Sequence, residues 1–145
     1  MAVEAVLTAF AARNRLDPPP PKADGSRVLV FDGRYKVSFR DEDLKTVRAT
    51  ARVGVLPNGE TERREALERL LSLATARMRE HAEILYLAED ERTINLFRRF
   101  PSALPPHEFD SLLTGMVNSL AFWRRTLAEG ASRAAAPSPF QMMFR

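Results

Sequence analysis

The stretch Arg27-Val-Leu-Val-Phe-Asp-Gly-Arg-Tyr-Lys-Val-Ser-Phe-Arg40 constrains the fold more than any other part of the chain. Asp32-Gly33 lies between two β-prone runs, and a two-residue Asp-Gly loop is a strong local hairpin signal. A two-residue loop sets Val30 opposite Tyr35 and Val28 opposite Val37 on one face, and Phe31 opposite Arg34 and Leu29 opposite Lys36 on the other. The first face reads as core. The second mixes apolar and cationic side chains, the pattern of a sheet surface that expects a partner. A covering helix, with Arg34 and Lys36 reaching past its rim, is the alternative.

The rest of the chain supplies a domain around that hairpin. At 145 residues it fits one domain with a core of its own, burying roughly 70% of its unfolded surface. Val3, Val6, Leu7 and Phe10 fall at helical spacing and predict a helix over 2–14. Asp17-Pro-Pro-Pro-Pro21 cannot continue a helix, so residues 17–26 read as a stiff Pro-rich connector. Past the acidic turn Asp41-Glu-Asp43, the residues Val47, Ala49, Ala51, Val53 and Val55 alternate with polar ones as a third strand. Thr61 is the expected N-cap of the next helix, whose apolar stripe is Leu67, Leu70, Leu71, Ala74 and Met78. Leu73 lies off that stripe, which gives the helix a second contact surface.

Ile84-Leu-Tyr-Leu87 and Thr93-Ile-Asn-Leu-Phe97 read as two further strands joined by Glu89-Asp-Glu-Arg92. The first is apolar on both faces, a sign of two-sided cover or of burial against another subunit. A final helix opens at Pro105-Pro106, buries Phe109, Leu112, Leu113, Met116, Leu120, Trp123 and Leu127, and is expected to stop at Gly130. The order α-β-β-β-α-β-β-α is that of an α+β domain over residues 1–129, with an antiparallel sheet. Residues 130–145 read as a flexible tail, although Phe140, Met142, Met143 and Phe144 give it an apolar end that could dock in a groove.

Composition points to binding rather than catalysis. There is no Cys, which removes disulfides, thiol catalysis and thiolate metal sites. His81 and His107 stand outside any motif. HExxH, GxSxG and Walker A patterns and spaced metal ligands are lacking, so neither enzyme activity nor a cofactor or metal is expected. No signal-type leader or run of about 20 apolar residues is seen, so a soluble protein without membrane insertion is expected. The pI near 9.8 raises nucleic-acid binding. With 22 basic and 19 acidic residues interleaved, the net charge is only +3, and cations are not gathered into one run. A small basic nucleic-acid-binding or other interaction module is therefore the alternative, with nucleic acid not expected as a partner.

The element order, the Val30-Phe-Asp-Gly-Arg-Tyr35 hairpin, Ala51-Arg-Val-Gly-Val-Leu-Pro57 before a leucine-rich helix, the paired short strands, and Phe109, Leu113, Val117 and Ala121-Phe-Trp123 in the last helix together resemble class I type III secretion chaperones of the Tir-chaperone type. The likeness runs from about residue 3 to residue 127 and rests on patterns of apolar residues. It implies a homodimeric, cytoplasmic bacterial protein that binds the N-terminal segment of a secreted effector in extended form, without nucleotide. Carried over by position, effector contacts fall on Val6, Leu7, Phe10, Leu29, Phe31, Arg34 and Lys36. The dimer surface falls on Leu73, Met78, Ile84 and Tyr86. The chain departs from the family in being basic where the family is generally acidic. It also has Thr75 where Asn is common, and His81-Ala82 in place of a Gly before the fourth strand.

Overall fold

The computed structural model describes the backbone of residues 2–135 and the side chains through Gly130. Its elements are α1 (Ala2–Arg13), β1 (Arg27–Phe31), β2 (Tyr35–Asp41), β3 (Thr46–Val55), α2 (Glu60–Arg77), β4 (Ile84–Leu87), β5 (Thr93–Pro101) and α3 (Pro106–Ala135). The five strands form one antiparallel sheet in the order β1-β2-β3-β5-β4. This is the α+β arrangement and element order expected from the sequence. Helices α1 and α3 lie on the sheet against β2 and β3, while α2 lies against α3.

The core is the layer between that sheet face and the two helices. Val37, Phe39, Val47, Ala49, Ala51, Leu96 and Phe100 rise from the strands to meet Val3, Leu7 and Phe10 of α1. From α3 come Phe109, Leu112, Met116, Leu120 and Trp123. These positions recur at spacings of three and four along α3, so the apolar stripe that identified the helix is the face it buries.

The hairpin turn forms as the Asp-Gly pair demands. Asp32 and Gly33 have φ of 54° and 69°, the left-handed pair of a type I′ turn, closed by the Arg34 N–H donating to the Phe31 carbonyl at 3.1 Å. The register beyond it differs from the expected one. Phe31 pairs with Tyr35, Val30 with Lys36, Leu29 with Val37 and Val28 with Ser38, so Arg34 is an extra, bulged residue. A slip of one residue moves every side chain of β1 to the other face. Leu29 and Phe31 therefore pack on the core beside Tyr35, and Val28, Val30 and Lys36 share the opposite face.

Three other expectations are corrected. Helix α2 begins at Glu60 behind an N-cap Gly59 whose side makes no capping bond, so Thr61 lies within the first turn and caps nothing. Its inward stripe includes Leu67, Leu70, Leu73 and Ala74, whereas Leu71 and Met78 are exposed at 66% and 70%. Helix α3 passes through Gly130 and continues to Ala135, so the start of the expected tail is helical. The apolar end at Phe140–Phe144 lies outside the described residues.

Two loops are pinned by aspartates. Asp90 accepts the Thr93 hydroxyl at 2.6 Å and the N–H groups of Thr93 and Arg92 at 2.8 and 2.9 Å. Asp24 accepts the Ser26 hydroxyl at 2.6 Å and its N–H at 3.0 Å, and an Arg40 guanidinium N–H at 2.7 Å. These bonds, those to Thr93 and to Ser26 foremost, hold each carboxyl below its ordinary 3.8 at about 2. Because the folded pKa is depressed, the stability these groups contribute is complete above pH 3.8 and is lost as pH falls through about 2. Asp90→Asn is expected to lower the melting temperature at pH 7 and to flatten its decline over that acid range. An unchanged acid slope in both Asp90→Asn and Asp24→Asn would show that other carboxylates govern it.

Candidate functional site

Two concave surfaces flank α3 on the helix side of the sheet. The first is a groove of about 480 Å³ where the end of α1, the hairpin tip and α3 meet. Phe10, Phe31, Leu113 and Val117 are among its apolar lining, and Asp32 and Asp110 add carboxylates. Phe10 is set edge-on against Phe109 at 5.6 Å between ring centroids, so this wall is braced by the core behind it. Asn14 Nδ2 donates to the Phe10 carbonyl at 2.9 Å, and Arg13 pairs with Asp110 at 2.8 Å. The first closes the end of α1 on itself, and the second ties α1 to α3 along the groove.

The second is a cleft of about 440 Å³ between the end of α2, the start of β4 and α3, lined by Ala74, Met78, Ile84 and Trp123 among others. Its polar part is Glu83, whose side chain is 4% exposed and lies 3.7 Å from Arg98. Ser119 Oγ donates to it at 3.2 Å. The Arg77 guanidinium lies 3.8 Å from the centre of the Phe122 ring, a contact expected to favour a cation. Met78 and Ile84 are exposed, as are Leu71 of α2 and Leu87 of the edge strand β4. Strand β4 pairs regularly with β5 from Ile84↔Phe97 to Leu87↔Ile94, so His81-Ala82 does not disturb its register.

The residues expected to contact an effector are thus dispersed. Phe10 and Phe31 meet in the first groove. Val6 lines a smaller depression with Leu104 and Phe109. Leu7 is buried in the core and Leu29 packs against it. Arg34 sits on the hairpin bulge with its guanidinium over Tyr35 at 4.9 Å, and Lys36 projects from the opposite face of the sheet. Of the residues expected at a dimer surface, Met78 and Ile84 are exposed, Leu73 turns inward, and Tyr86 lies edge-on to Phe97 at 5.4 Å.

Arg124 is a residue that the sequence reading passed over. It donates from Nε and Nη2 to the Arg52 carbonyl at 3.2 and 2.9 Å, and from Nη1 to the Arg34 carbonyl at 3.0 Å. Arg34 is the hairpin bulge, and the β3–β5 register shifts between Arg52 and Gly54. Bulges leave backbone groups outside the ladder, and Arg124 takes up a carbonyl from each. In the sequence it appears only as half of a surface Arg-Arg pair, with no signal that it reaches back to the sheet.

Among the described residues no helix is long and apolar enough to cross a membrane, and no group of three or more His, Asp or Glu is placed to hold a metal ion. Over residues 5–124 the sequence matches the Tir chaperone protein (CesT) family. The chain belongs to that family. No curated protein matches it significantly. Its fold is similar to a chain in the structure of the Yersinia pestis type III secretion chaperone SycH with a stable fragment of YscM2, at 17% identity and a TM-score of 0.60 over 83% of this chain and 98% of that one. It is also similar to a chain of the ExsC–ExsE complex, at 22% identity and a TM-score of 0.66, covering 86% and 92%. A chain of the HopA1–SchA chaperone–effector complex gives 14% identity and a TM-score of 0.68, covering 86% and 94%. Membership of the CesT family agrees with the resemblance drawn from the order and spacing of apolar residues.

Proposed function

We propose that this CesT-family protein is a type III secretion chaperone. It binds the N-terminal segment of a cognate secreted effector in extended form and keeps it competent for export, in the bacterial cytoplasm and without nucleotide or catalysis. The observation that carries this reading is the family match over residues 5–124, on a domain whose core is complete and which still presents open apolar surfaces. A groove floored by Phe10 and Phe31 suits apolar side chains of an extended segment, and the edge strand β1 suits backbone pairing. Pockets then give selectivity and the strand contacts give affinity, while the disordered client bears its ordering cost on binding.

The same reading assigns α2 and β4 to a homodimer. Leu71 and Met78 of α2 and Ile84 of β4 are exposed, Met78 and Ile84 line one cleft, and a two-fold axis there would bury these apolar side chains against their copies. The function is tested by co-expression with N-terminal segments of secreted proteins encoded nearby, followed by purification through a tag on the client. Retention of the client with a dimer of this chain is the expected result. Failure of every neighbouring candidate to co-purify would overturn the reading.

A further inference from the structure

The sheet face turned away from α1 and α3 carries cations in register across three strands. Arg40 of β2 is directly opposite Arg48 of β3, and Arg48 is directly opposite Arg99 of β5. Cross-strand partners share a face, about 5 Å apart, and like charges placed so are destabilising. The two outer members are neutralised, Arg40 by Asp24 at 2.7 Å and Arg99 by Glu42 at 3.0 Å.

The central one is not. Arg48 has no ion-pair partner among the described residues, and its Nε is buried without a hydrogen-bond partner. Its guanidinium lies over Phe97, 4.4 Å from the ring centre, which orients it but leaves its donors free. Lys36 and Arg52 add two more exposed cations to this face, again without ion-pair partners among the described residues. Exposed Val30 and the half-buried Phe97 are interspersed with them.

We infer that this face, centred on Arg48, is a docking surface for an acidic polypeptide segment with alternating carboxylate and apolar side chains. Carboxylates satisfy the unpaired guanidinium donors and relieve the repulsion between opposed arginines. Alternating apolar residues meet Val30 and Phe97. A second copy of this chain is disfavoured, because the same cations would face one another. On the chaperone reading, that segment belongs to the effector, and the inference rests on that reading only for this assignment. A family member with a basic surface then takes an acidic client.

The test uses the full chain and a fluorescent peptide built of glutamate and valine, with matched peptides in which serine or lysine replaces each glutamate. The glutamate peptide is expected to bind about tenfold tighter than the serine peptide, as charge-assisted hydrogen bonds allow. High salt should remove that advantage. Arg48→Gln should also abolish most of it without lowering the melting temperature, since it removes a like-charge opposition. If that variant does lower the melting temperature, Lys36→Gln with Arg52→Gln serves in its place. Equal binding of the glutamate and serine peptides, or tighter binding of a single-stranded oligonucleotide than of the glutamate peptide, overturns the inference. A client that co-purifies while the peptides bind equally sinks this inference and leaves the chaperone reading standing. Preference for the acidic peptide with no client captured does the reverse.

Discussion

If α2 and β4 form the proposed homodimer, Leu71→Glu together with Met78→Glu is expected to reduce the solution mass from twice 16.4 kDa to 16.4 kDa. In the single chain α2 buries only Leu70 completely, although a helix of 18 residues ordinarily hides a whole stripe. Its outward side presents Leu71 and Met78, and Met78 shares a cleft with exposed Ile84 of β4. Soluble monomers seldom expose contiguous apolar patches beyond a few hundred Å². Strand β4 is also a sheet edge, whose free backbone groups invite pairing. A two-fold interface meets its own copy, so each introduced carboxylate enters twice, and like charges at close quarters cost several kcal/mol. A rise in the dimer dissociation constant of about 100-fold or more follows. Both positions are exposed, so the fold should survive, and circular dichroism with light scattering separates the outcomes. A doubly substituted protein that still runs as a dimer would place the interface elsewhere. A wild-type monomer at micromolar concentration would remove the homodimer altogether.

The sequence displays the element order because period and punctuation differ sharply between elements. The apolar run Ile84–Leu87 alone bounds strand β4, as observed, and the three-and-four spacing along α3 marks its buried face. What it hides are choices between equivalent apolar neighbours. Val28-Leu-Val-Phe31 is apolar at every position, so either hairpin register buries good side chains and alternation cannot decide between them. The bulge at Arg34 settles it, and that bulge is bound by Arg124, ninety residues away. Leu70-Leu71 and Leu73 pose the same problem on α2. Leu70, Leu71 and Leu73 spread over about 160° of the helix circumference, and only packing in the fold selects Leu70 and Leu73 as the inward pair. The mixed apolar and cationic face that singled out the hairpin persists under the corrected register. Its members are Val28, Val30, Lys36 and Arg40 rather than Leu29, Phe31, Arg34 and Lys36, and continuation of that face into β3 and β5 produces the arginine ladder. That ladder was invisible because register between β2, β3 and β5 cannot be read from any one strand.

Phe39→Ala is expected to destabilise the folded protein by about 3–5 kcal/mol, a large share of the roughly 5–15 kcal/mol that holds a domain of this kind together. Phe39 is fully buried at the middle of the sheet, with Phe100 at 6.4 Å and Phe109 at 6.3 Å between ring centroids. Phe100 and Phe109 are themselves 5.5 Å apart, and Phe109 braces Phe10 at the wall of the first groove. Four rings thus connect the sheet to α3 and α1, and aromatic pairs in such geometry contribute beyond their buried area. Deleting the Phe39 ring leaves a cavity that sheet and helices cannot both close. The loss should appear in urea unfolding as a lower midpoint at unchanged slope, measured at one fixed protein concentration so that any self-association is held constant. Val30→Ser, at a half-exposed position on the opposite face, should stay within about 0.5 kcal/mol. A loss below about 1 kcal/mol for Phe39→Ala would mean that the aromatic cluster relaxes freely. In that case Phe10 would not be held rigidly, and the groove would have to be formed by its client rather than offered to it.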